Sequence, residues 1–486
     1  MKRSIVLNFH TLFLTVLLVG LFPGRIVSQT HDVTVIIHLR GVYETNISLL
    51  GMNSQRLFKP ILEVTAIKNG QTTTLIVPKD QLPGEFVMRF DYKELESSTP
   101  YPSEKSLIIN QQNLELWVSP VYCNNSDSSY YQEGELENTT FGRFSMENAT
   151  KKEKLGLLQN FLMSYDETDS RFYQMGIDEY EKRRTDYNQW LSAQTRKDKD
   201  LFVCSMYPFQ FVPQILWKGS ETDRIYSMIA HYFDGMDFKN PHIIRTSFIN
   251  KWMDNYVNLY GQMSTTTALR DSLFPLAGKT AIDKSKTGHP LVYGWMVDYF
   301  YRGYESNGID AGMKILQPYL DDPNCLTSKR LEIERRLKGM ETLVPGSPAP
   351  PIIMNDSDGG NFDLYAMKSP AKFTLILFWS GDCSHCEELT KQLYPWQQQA
   401  EISNDLTVVA ISLDETDTEI EAWQKKKGDF KNWKHLRAPE GVRSKEASDY
   451  YVLATPVMVL LDQASKKIVA LPVTFTDLKE VFQKSR

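Results

Sequence analysis

The most informative chemistry in this 486-residue chain is a pair of cysteines separated by two residues. Cys383 and Cys386 enclose Ser384 and His385. Because one helical turn separates the cysteines, their sulfurs could form a disulfide. A thiolate at a helix N-terminus is stabilised by unpaired backbone N–H groups and by the helix dipole. The pattern therefore predicts a dithiol that exchanges electrons with other thiols or disulfides.

The segments on either side of the pair indicate how it is positioned. Residues 373–378 form a short apolar run, which is typical of a buried parallel strand. Residues 387–393 favour a helix. Cys383 would then lie at the helix start. We therefore expect Cys383 to be the nucleophile and Cys386 to be the resolving thiol.

The residues beyond the helix complete an alternating α/β pattern. Residues 406–414 are predicted to form the next parallel strand, and Thr455-Pro456 leads into another strand that ends near residue 462. Residues 466–470 complete a hairpin with it. A final helix is expected at 477–484.

From about Gly346 onward the chain resembles the thioredoxin-like proteins of the extracytoplasmic thiol–disulfide oxidoreductase branch. The resemblance depends on Pro348-Ala349-Pro350-Pro351, on Trp379 ahead of the dithiol and on Thr455-Pro456 after it. It implies a thioredoxin-like domain over 346–486. It also implies a cis peptide bond before Pro456, beside the dithiol, where the proline shapes a substrate groove.

Two positions depart from the pattern of that family. Thioredoxins carry a buried Asp where this chain has Leu377, and reductases of the branch often carry a Glu where it has Leu389. Deprotonation of Cys386 therefore lacks an obvious base, and Glu388, His385 or water could serve instead.

The residues inside and beside the motif are expected to tune its reduction potential. Ser384 can donate a hydrogen bond towards a thiolate, and His385 would favour the Cys383 thiolate and a more oxidising site. Asp382 acts in the opposite direction through charge repulsion.

Other chemistries can be compared with the same residues. A zinc site would need a second ligand pair with suitable spacing, and haem attachment would need His in place of Glu387. A peroxiredoxin would want Pro at Ile376, although Ser380 suits its Thr or Ser position. Two alternatives stay open. One is a thiol peroxidase, and the other is a non-enzymatic secreted binding or assembly protein with a structural disulfide.

The composition limits the class of protein. The length predicts two or three domains. A net charge of −6 with a pI of about 5.9 does not indicate a protein that binds nucleic acid. Residues 1–28 have the form of a secretory signal peptide, with Lys2 and Arg3 ahead of an apolar stretch. Cys123, Cys204 and Cys325 are expected to be small buried side chains, with room for one bridge among them.

The chain ahead of residue 346 is predicted to contain two further regions. Residues 31–122 alternate like a small antiparallel β-sandwich, with a hairpin at Asn69-Gly70. This arrangement resembles the β-domain placed before thioredoxin modules in many secreted Bacteroidetes proteins. Residues 124–148 are predicted to be a polar loop, 150–342 a helical domain, and 343–351 a stiff Pro-rich linker.

The resulting prediction is a multidomain fold with an N-terminal antiparallel β domain, a central all-α domain and a C-terminal α/β thioredoxin-like domain. The expected partners are client proteins that carry thiols or disulfides, together with a membrane electron donor or acceptor. No cofactor, metal or nucleic acid is expected. The expected location is the bacterial periplasm. The sequence leaves the direction of electron flow open.

Overall fold

The computed structural model describes residues 31–52, 60–355 and 360–486. The signal peptide predicted at 1–28 lies outside these residues. Among the helices described, none combines the length and the apolar composition needed to cross a membrane. The chain divides into two compact units, one comprising residues up to 236 with 242–252, and the other 237–241 with residues from 253 onward. The domain boundaries at 31–122, 150–342 and 346–486 stay predictions.

The first unit begins with two four-stranded sheets. Their strands are β1 (Val33–Leu39), β2 (Glu44–Gly51), β3 (Leu62–Lys68), β4 (Thr72–Val77), β5 (Gly84–Lys93), β6 (Tyr101–Ile109), β7 (Leu114–Val118) and β8 (Tyr130–Tyr131). The strand orders are β4-β1-β7-β8 and β3-β2-β5-β6. Neighbouring strands run antiparallel except β1 and β7, which pair in parallel.

Both sheets contribute to one apolar core. Val33, Val35 and Ile37 alternate with solvent-facing residues along β1, and they pack with Ile47 and Phe86 of the other sheet. Burial of every second residue is what a strand with one buried face requires. The predicted antiparallel β domain is confirmed, with one parallel pair added.

The predicted hairpin at Asn69-Gly70 is wrong. Gly70 does make a turn, with φ of 78°, but β3 pairs with β2 in one sheet and β4 pairs with β1 in the other. The turn therefore links two sheets. The sequence pattern was misleading because β2, which was not predicted, occupies the position beside β3.

Helices follow the sheets in the first unit. They are α1 (Glu137–Ser164), α2 (Arg171–Lys197), a 3₁₀ helix (Phe202–Gln210) and α3 (Glu221–Ala230). The predicted loop at 124–148 is therefore wrong from Glu137 onward. The Glu135 carboxylate explains the helix start, because it accepts the backbone N–H groups of Asn138 and Thr139 at 2.9 and 2.7 Å.

The central helical region continues beyond residue 247 and is confirmed. Its helices are α4 (Phe248–Met263), α5 (Thr267–Ser285), α6 (Pro290–Asn307), α7 (Asp310–Lys314), α8 (Gln317–Leu320) and α9 (Arg330–Thr342). Aromatic side chains such as Trp295 and Tyr301 of α6 are buried. They therefore contribute to a core, which is the ordinary role of such residues.

The C-terminal part of the second unit is a mixed α/β domain. Its strands are β9 (Ile353–Asn355), β10 (Asn361–Asp363), β11 (Phe373–Trp379), β12 (Leu406–Ser412), β13 (Lys434–Arg437), β14 (Val457–Asp462) and β15 (Ile468–Ala470). Its helices are α10 (Ser384–Gln397), α11 (Ala400–Ser403), α12 (Asp417–Lys427), α13 (Lys445–Asp449) and α14 (Phe475–Ser485). The main sheet has the order β13-β12-β11-β14-β15.

The central strand β11 is buried along its whole length. It pairs in parallel with β12 and antiparallel with β14, and apolar clusters cover both faces of the sheet. A strand covered on both faces has no solvent side, which explains its continuous apolar sequence.

The Pro-rich segment ahead of this domain is packed against it instead of acting as a free linker. The Gly346 N–H donates to the carbonyl of Ile468 at 2.7 Å, and the Ala349 N–H donates to that of Lys466 at 2.9 Å. Ala349 is buried in the core. The segment is therefore part of the domain and lies beside its edge strand β15.

Candidate active site

Cys383 occupies the N-cap of α10, just after β11 ends. Its backbone is extended, and its Sγ accepts a hydrogen bond from the Cys386 N–H at 3.1 Å. The Cys383 carbonyl accepts the Glu387 N–H at 3.0 Å, which begins the helical hydrogen bonds. The sulfur thus lies at the positive end of the helix dipole and accepts a backbone N–H there, as the sequence predicts.

Cys386 lies one turn further along α10 and is almost fully buried. Burial raises the pKa of the Cys386 thiol well above its usual range, and the neighbouring Cys383 thiol raises it further. The Thr455 hydroxyl and the Ser380 backbone N–H act in the opposite direction. The pair is therefore asymmetric, because Cys383 is half-buried whereas Cys386 is enclosed.

The loop before β14 forms the other side of the site. The Thr455–Pro456 peptide bond is cis, and the Cys383 thiol reaches the Thr455 carbonyl oxygen at 3.6 Å. The prediction of a cis proline beside the dithiol is confirmed. Thr455 contacts both cysteines, Cys383 through its carbonyl and Cys386 through its hydroxyl.

The remaining predicted site residues separate into buried and exposed groups. Trp379 is 1% exposed and packs edge-on against Phe430, with ring centroids 5.8 Å apart. Trp379 therefore supports the dithiol turn from the side of the buried core. Ser384 and His385 are exposed on the first turn of α10. Their side chains can therefore meet solvent or an approaching partner.

The carboxylate next to Cys386 in sequence, Glu387, is held in two ion pairs. Glu387 pairs with Lys391 at 2.7 Å and with Lys426 at 2.9 Å. These ammonium groups lower the pKa of Glu387 to about 2. Glu388 is exposed.

Two apolar side chains fill the positions where the family resemblance implied acids. Leu377 is fully buried and Leu389 is 7% exposed. These two positions therefore provide no carboxylate that could act as a base for Cys386.

Asp414 is a residue near the site that the sequence analysis missed as a site residue. Its carboxylate is fully buried and accepts hydrogen bonds from the Ser380 hydroxyl at 2.5 Å and from the Gly381 N–H at 3.0 Å. The Ser412 hydroxyl adds a third donor at 2.6 Å. The available signal was a polar pair, Ser412 and Asp414, directly after the apolar run of β12.

Helix α12 packs closely against the same turn. A Cβ atom on Gly381 would lie 2.4 Å from the Trp423 backbone nitrogen. Real Cβ atoms do not approach backbone this closely, so the position requires glycine. The turn before the dithiol is therefore fixed from two sides, by Asp414 and by α12.

The other cysteines are far less suited to exchange chemistry. All five cysteines of the described residues are free thiols. Burial raises the pKa of both Cys204 and Cys325 to about 11. No group of three or more His, Cys, Asp or Glu side chains suited to a metal ion occurs in the part of the chain that the structure describes.

A comparison with protein families identifies the C-terminal domain. The family model described as thioredoxin-like matches residues 371–468, which include the dithiol and the cis proline. No curated protein matches the chain. The fold is therefore one of N-terminal antiparallel sheets, a central helical region and a C-terminal thioredoxin-like α/β domain.

Solved structures add neighbours of the same kind. A thioredoxin-like protein from Bacteroides caccae is 19% identical with a TM-score of 0.38, over 57% of this chain and 97% of that one. A thiol-disulfide oxidoreductase from Bacteroides fragilis is 23% identical with a TM-score of 0.26, over 29% and 100%. A thiol:disulfide interchange protein from Bacteroides sp. is 26% identical with a TM-score of 0.25, over 29% and 90%.

Proposed function

We propose that the protein is a thiol–disulfide oxidoreductase that reduces or exchanges the disulfides of client proteins through Cys383 and Cys386. One observation carries the proposal. The half-buried Cys383 sulfur accepts the Cys386 N–H at the start of α10, beside the cis Pro456. This arrangement exposes a stabilised nucleophile and keeps its partner thiol enclosed one turn away.

The reaction would proceed by two exchanges of sulfur partners. The Cys383 thiolate attacks one sulfur of a client disulfide, and the other client sulfur leaves as a thiolate and takes up a proton. The Cys386 thiol then loses its proton and attacks the Cys383 Sγ. The mixed disulfide breaks and the second client sulfur leaves. The client gains two electrons, and the Cys383–Cys386 pair is oxidised to a disulfide.

A further part of the proposal concerns location and partners. The basic residues and the apolar stretch within 1–28 support export, and we place the protein in the extracytoplasmic branch of thioredoxin-like proteins and in the periplasm. A membrane dithiol reductant would then return the oxidised pair to the dithiol. The opposite direction of flow would need a membrane acceptor.

The activity can be tested with insulin as a model client and dithiothreitol as the electron source. Native protein should accelerate the precipitation of reduced insulin, and Cys383→Ser and Cys386→Ser should reduce the rate to that of dithiothreitol alone. Cys204→Ser is the matched control, because this cysteine is also only partly buried but lies outside the site. It should retain the native rate.

The roles of the two sulfurs can be tested by trapping. Cys386→Ser should accumulate a mixed disulfide with oxidised glutathione, which mass spectrometry detects, whereas Cys383→Ser should not. Equal trapping by both variants would contradict the assignment. A pair that resists mild reductant and alkylates slowly would indicate a structural disulfide in a binding protein. Consumption of hydrogen peroxide by the dithiol would indicate a thiol peroxidase.

A further inference from the structure

The buried carboxylate of Asp414 has no role in the exchange chemistry described so far. It lies two residues after the end of β12, about thirty residues beyond the dithiol in sequence, yet its hydrogen bonds go to the turn that precedes Cys383. Both of its oxygens accept the Gly381 N–H at 3.0 Å, and one also accepts the Ser380 hydroxyl.

The partners of this carboxylate are hydroxyls and a backbone N–H. The Arg437 guanidinium reaches the Asp414 backbone carbonyl, at 3.1 Å, and not the carboxylate. Hydrogen bonds to a charged acceptor in a buried site are shorter and stronger than those between neutral groups. A carboxylate held in this way fixes its donors in place, and those donors are the residues of the dithiol turn.

Ser380 connects this carboxylate to the dithiol. Its hydroxyl donates to Asp414 and accepts the Asp382 N–H at 3.3 Å. Its own backbone N–H is one of the groups that lower the pKa of Cys386. The Asp414 contact therefore holds in place the residue whose N–H acts on the enclosed sulfur.

The enclosed sulfur needs such a donor. Cys386 must become a thiolate before it can attack the Cys383 Sγ, and the charge then forms in a buried place. Buried leucines, Leu377 and Leu389, occupy the positions at which the family resemblance implies an acid. Two groups counter the effect of burial and favour its thiolate, namely the Ser380 N–H and the Thr455 hydroxyl.

We propose that Asp414 is a positioning residue for the resolving step, because it holds Ser380 so that its N–H stabilises the Cys386 thiolate during attack on the mixed disulfide. The inference rests on the proposed function and assigns a residue to its second half-reaction. It predicts that a loss of Asp414 slows resolution by Cys386 more than it slows the first attack by Cys383.

A dithiobis(nitrobenzoate) reagent separates the two steps, because each releases one coloured nitrothiolate. Cys383 attacks the reagent disulfide and releases the first, and Cys386 then attacks the Cys383 Sγ and releases the second. The full chain, reduced and freed of reductant, is mixed with excess reagent, and the two phases are followed by absorbance. In the native protein both phases should be complete.

Asp414→Ala should slow the second phase by about tenfold or more, and the first by less than about threefold. Asp414→Asn keeps one oxygen for Ser380 and Gly381, so the second phase should recover partly. Asp462→Ala is the matched control, since the Asp462 carboxylate also accepts a serine hydroxyl and a backbone N–H, both from Ser465, but lies at the far end of β14 from Pro456. It should leave the ratio of the two rates unchanged.

The outcomes separate this inference from the proposed function. If the native protein reduces insulin, and Asp414→Ala leaves both phases unchanged or slows both equally, the positioning role is wrong and the function stands. If Asp414→Ala does not fold, Ser380→Ala serves instead, with a second phase slowed selectively by several-fold as the expected result. If the native protein shows no exchange activity at all, the proposed function is wrong, and the role of Asp414 is wrong with it.

Discussion

Cys123 in the N-terminal β core and Cys383 in the C-terminal domain place the same side chain in opposite settings. Cys123 is 4% exposed, and its sulfur donates to the Glu104 carbonyl at 3.3 Å. The Cys383 sulfur is half-buried and accepts the Cys386 N–H. Both thiols can donate to a carbonyl, Cys383 to that of Thr455 at 3.6 Å, but only Cys383 also has an N–H partner at a helix start, which favours the thiolate.

From this difference we expect the surrounding backbone, and not the residue type, to determine which cysteine is reactive. In the N-terminal sheets Cys123 fills space as a small apolar group. In the C-terminal domain a buried strand delivers the chain to a helix N-terminus, and Asp414 and α12 hold the turn between them. The same comparison can be extended to Cys204 and Cys325.

The largest expected effect is in alkylation. In reduced native protein, iodoacetamide should modify Cys383 at least about 100-fold faster than Cys123, Cys204 or Cys325 at neutral pH. The pKa values of about 11 for Cys204 and Cys325 leave little thiolate at this pH. Quenched time points and peptide mass spectrometry give the rates.

Unfolding in guanidinium chloride provides the control for this measurement, because all cysteines should then react at similar rates. Cys204 is the sharpest comparison, since it is only partly buried, as Cys383 is. Equal rates at Cys204 and Cys383 in the native protein would show that access alone decides reactivity, and that the helix start adds nothing.

The comparison also explains how much could be predicted from the sequence. In the C-terminal domain the apolar run at 373–378 is buried on both faces, so its composition alone identifies it as a central strand. The dithiol at the helix start and the proline turn follow as local patterns. These features lie within short stretches of sequence, where pattern and geometry are directly connected.

Features that depend on distant pairing could not be predicted in the same way. The turn at Asn69-Gly70 has the sequence of a hairpin, and only the presence of β2 beside β3 directs its two strands into different sheets. Asp414 is similar, because its partners Ser380 and Gly381 precede it by more than thirty residues. A buried acid is recognised only when the fold shows which donors enclose it.

The second prediction concerns the pH dependence of the enclosed sulfur. Burial raises the pKa of Cys386, so its thiolate is a minor species at neutral pH and increases with pH. The rate of the second nitrothiolate release should therefore rise by about tenfold per pH unit between about pH 6 and pH 9. A stopped-flow series across this range measures it.

The first phase is the internal control for this series, because it reports Cys383 in the same sample. A plateau of the second phase near neutral pH would contradict the prediction and would mean that Cys386 already exists largely as a thiolate. Glu387 should not contribute to the profile, because its pKa of about 2 keeps it ionised throughout.

The third prediction tests the contact between α12 and the dithiol turn. Gly381→Ala should lower the free energy of unfolding by about 1–3 kcal/mol, because its Cβ would overlap the Trp423 backbone. Gly428, at the C-terminal end of the same helix, is the matched control. Its Cβ would meet the Lys425 carbonyl at an ordinary 3.5 Å.

Gly428→Ala should be neutral or stabilising by up to about 1 kcal/mol, since its φ of −62° suits alanine. Urea unfolding of the two variants, followed by tryptophan fluorescence, gives the values. If Gly381→Ala is as stable as Gly428→Ala, α12 does not pack against the turn in solution.

The smallest effect is expected at His385, which is exposed on the first turn of α10. An imidazole there can favour the Cys383 thiolate by charge or hydrogen bonding, which stabilises the reduced protein and raises its potential. Proline is tolerated in the first turn of a helix because its missing N–H has no partner there. His385→Pro should therefore fold normally and lower the reduction potential by about 10–30 mV, where 30 mV corresponds to about 1.4 kcal/mol.

His385→Gln, which keeps a polar side chain without the charge, should have a reduction potential between those of the native protein and His385→Pro. Equilibration with glutathione at several ratios measures all three proteins. Equal potentials would mean that His385 faces solvent without influencing the sulfur, and that the helix start, with the turn held by Asp414, determines the potential.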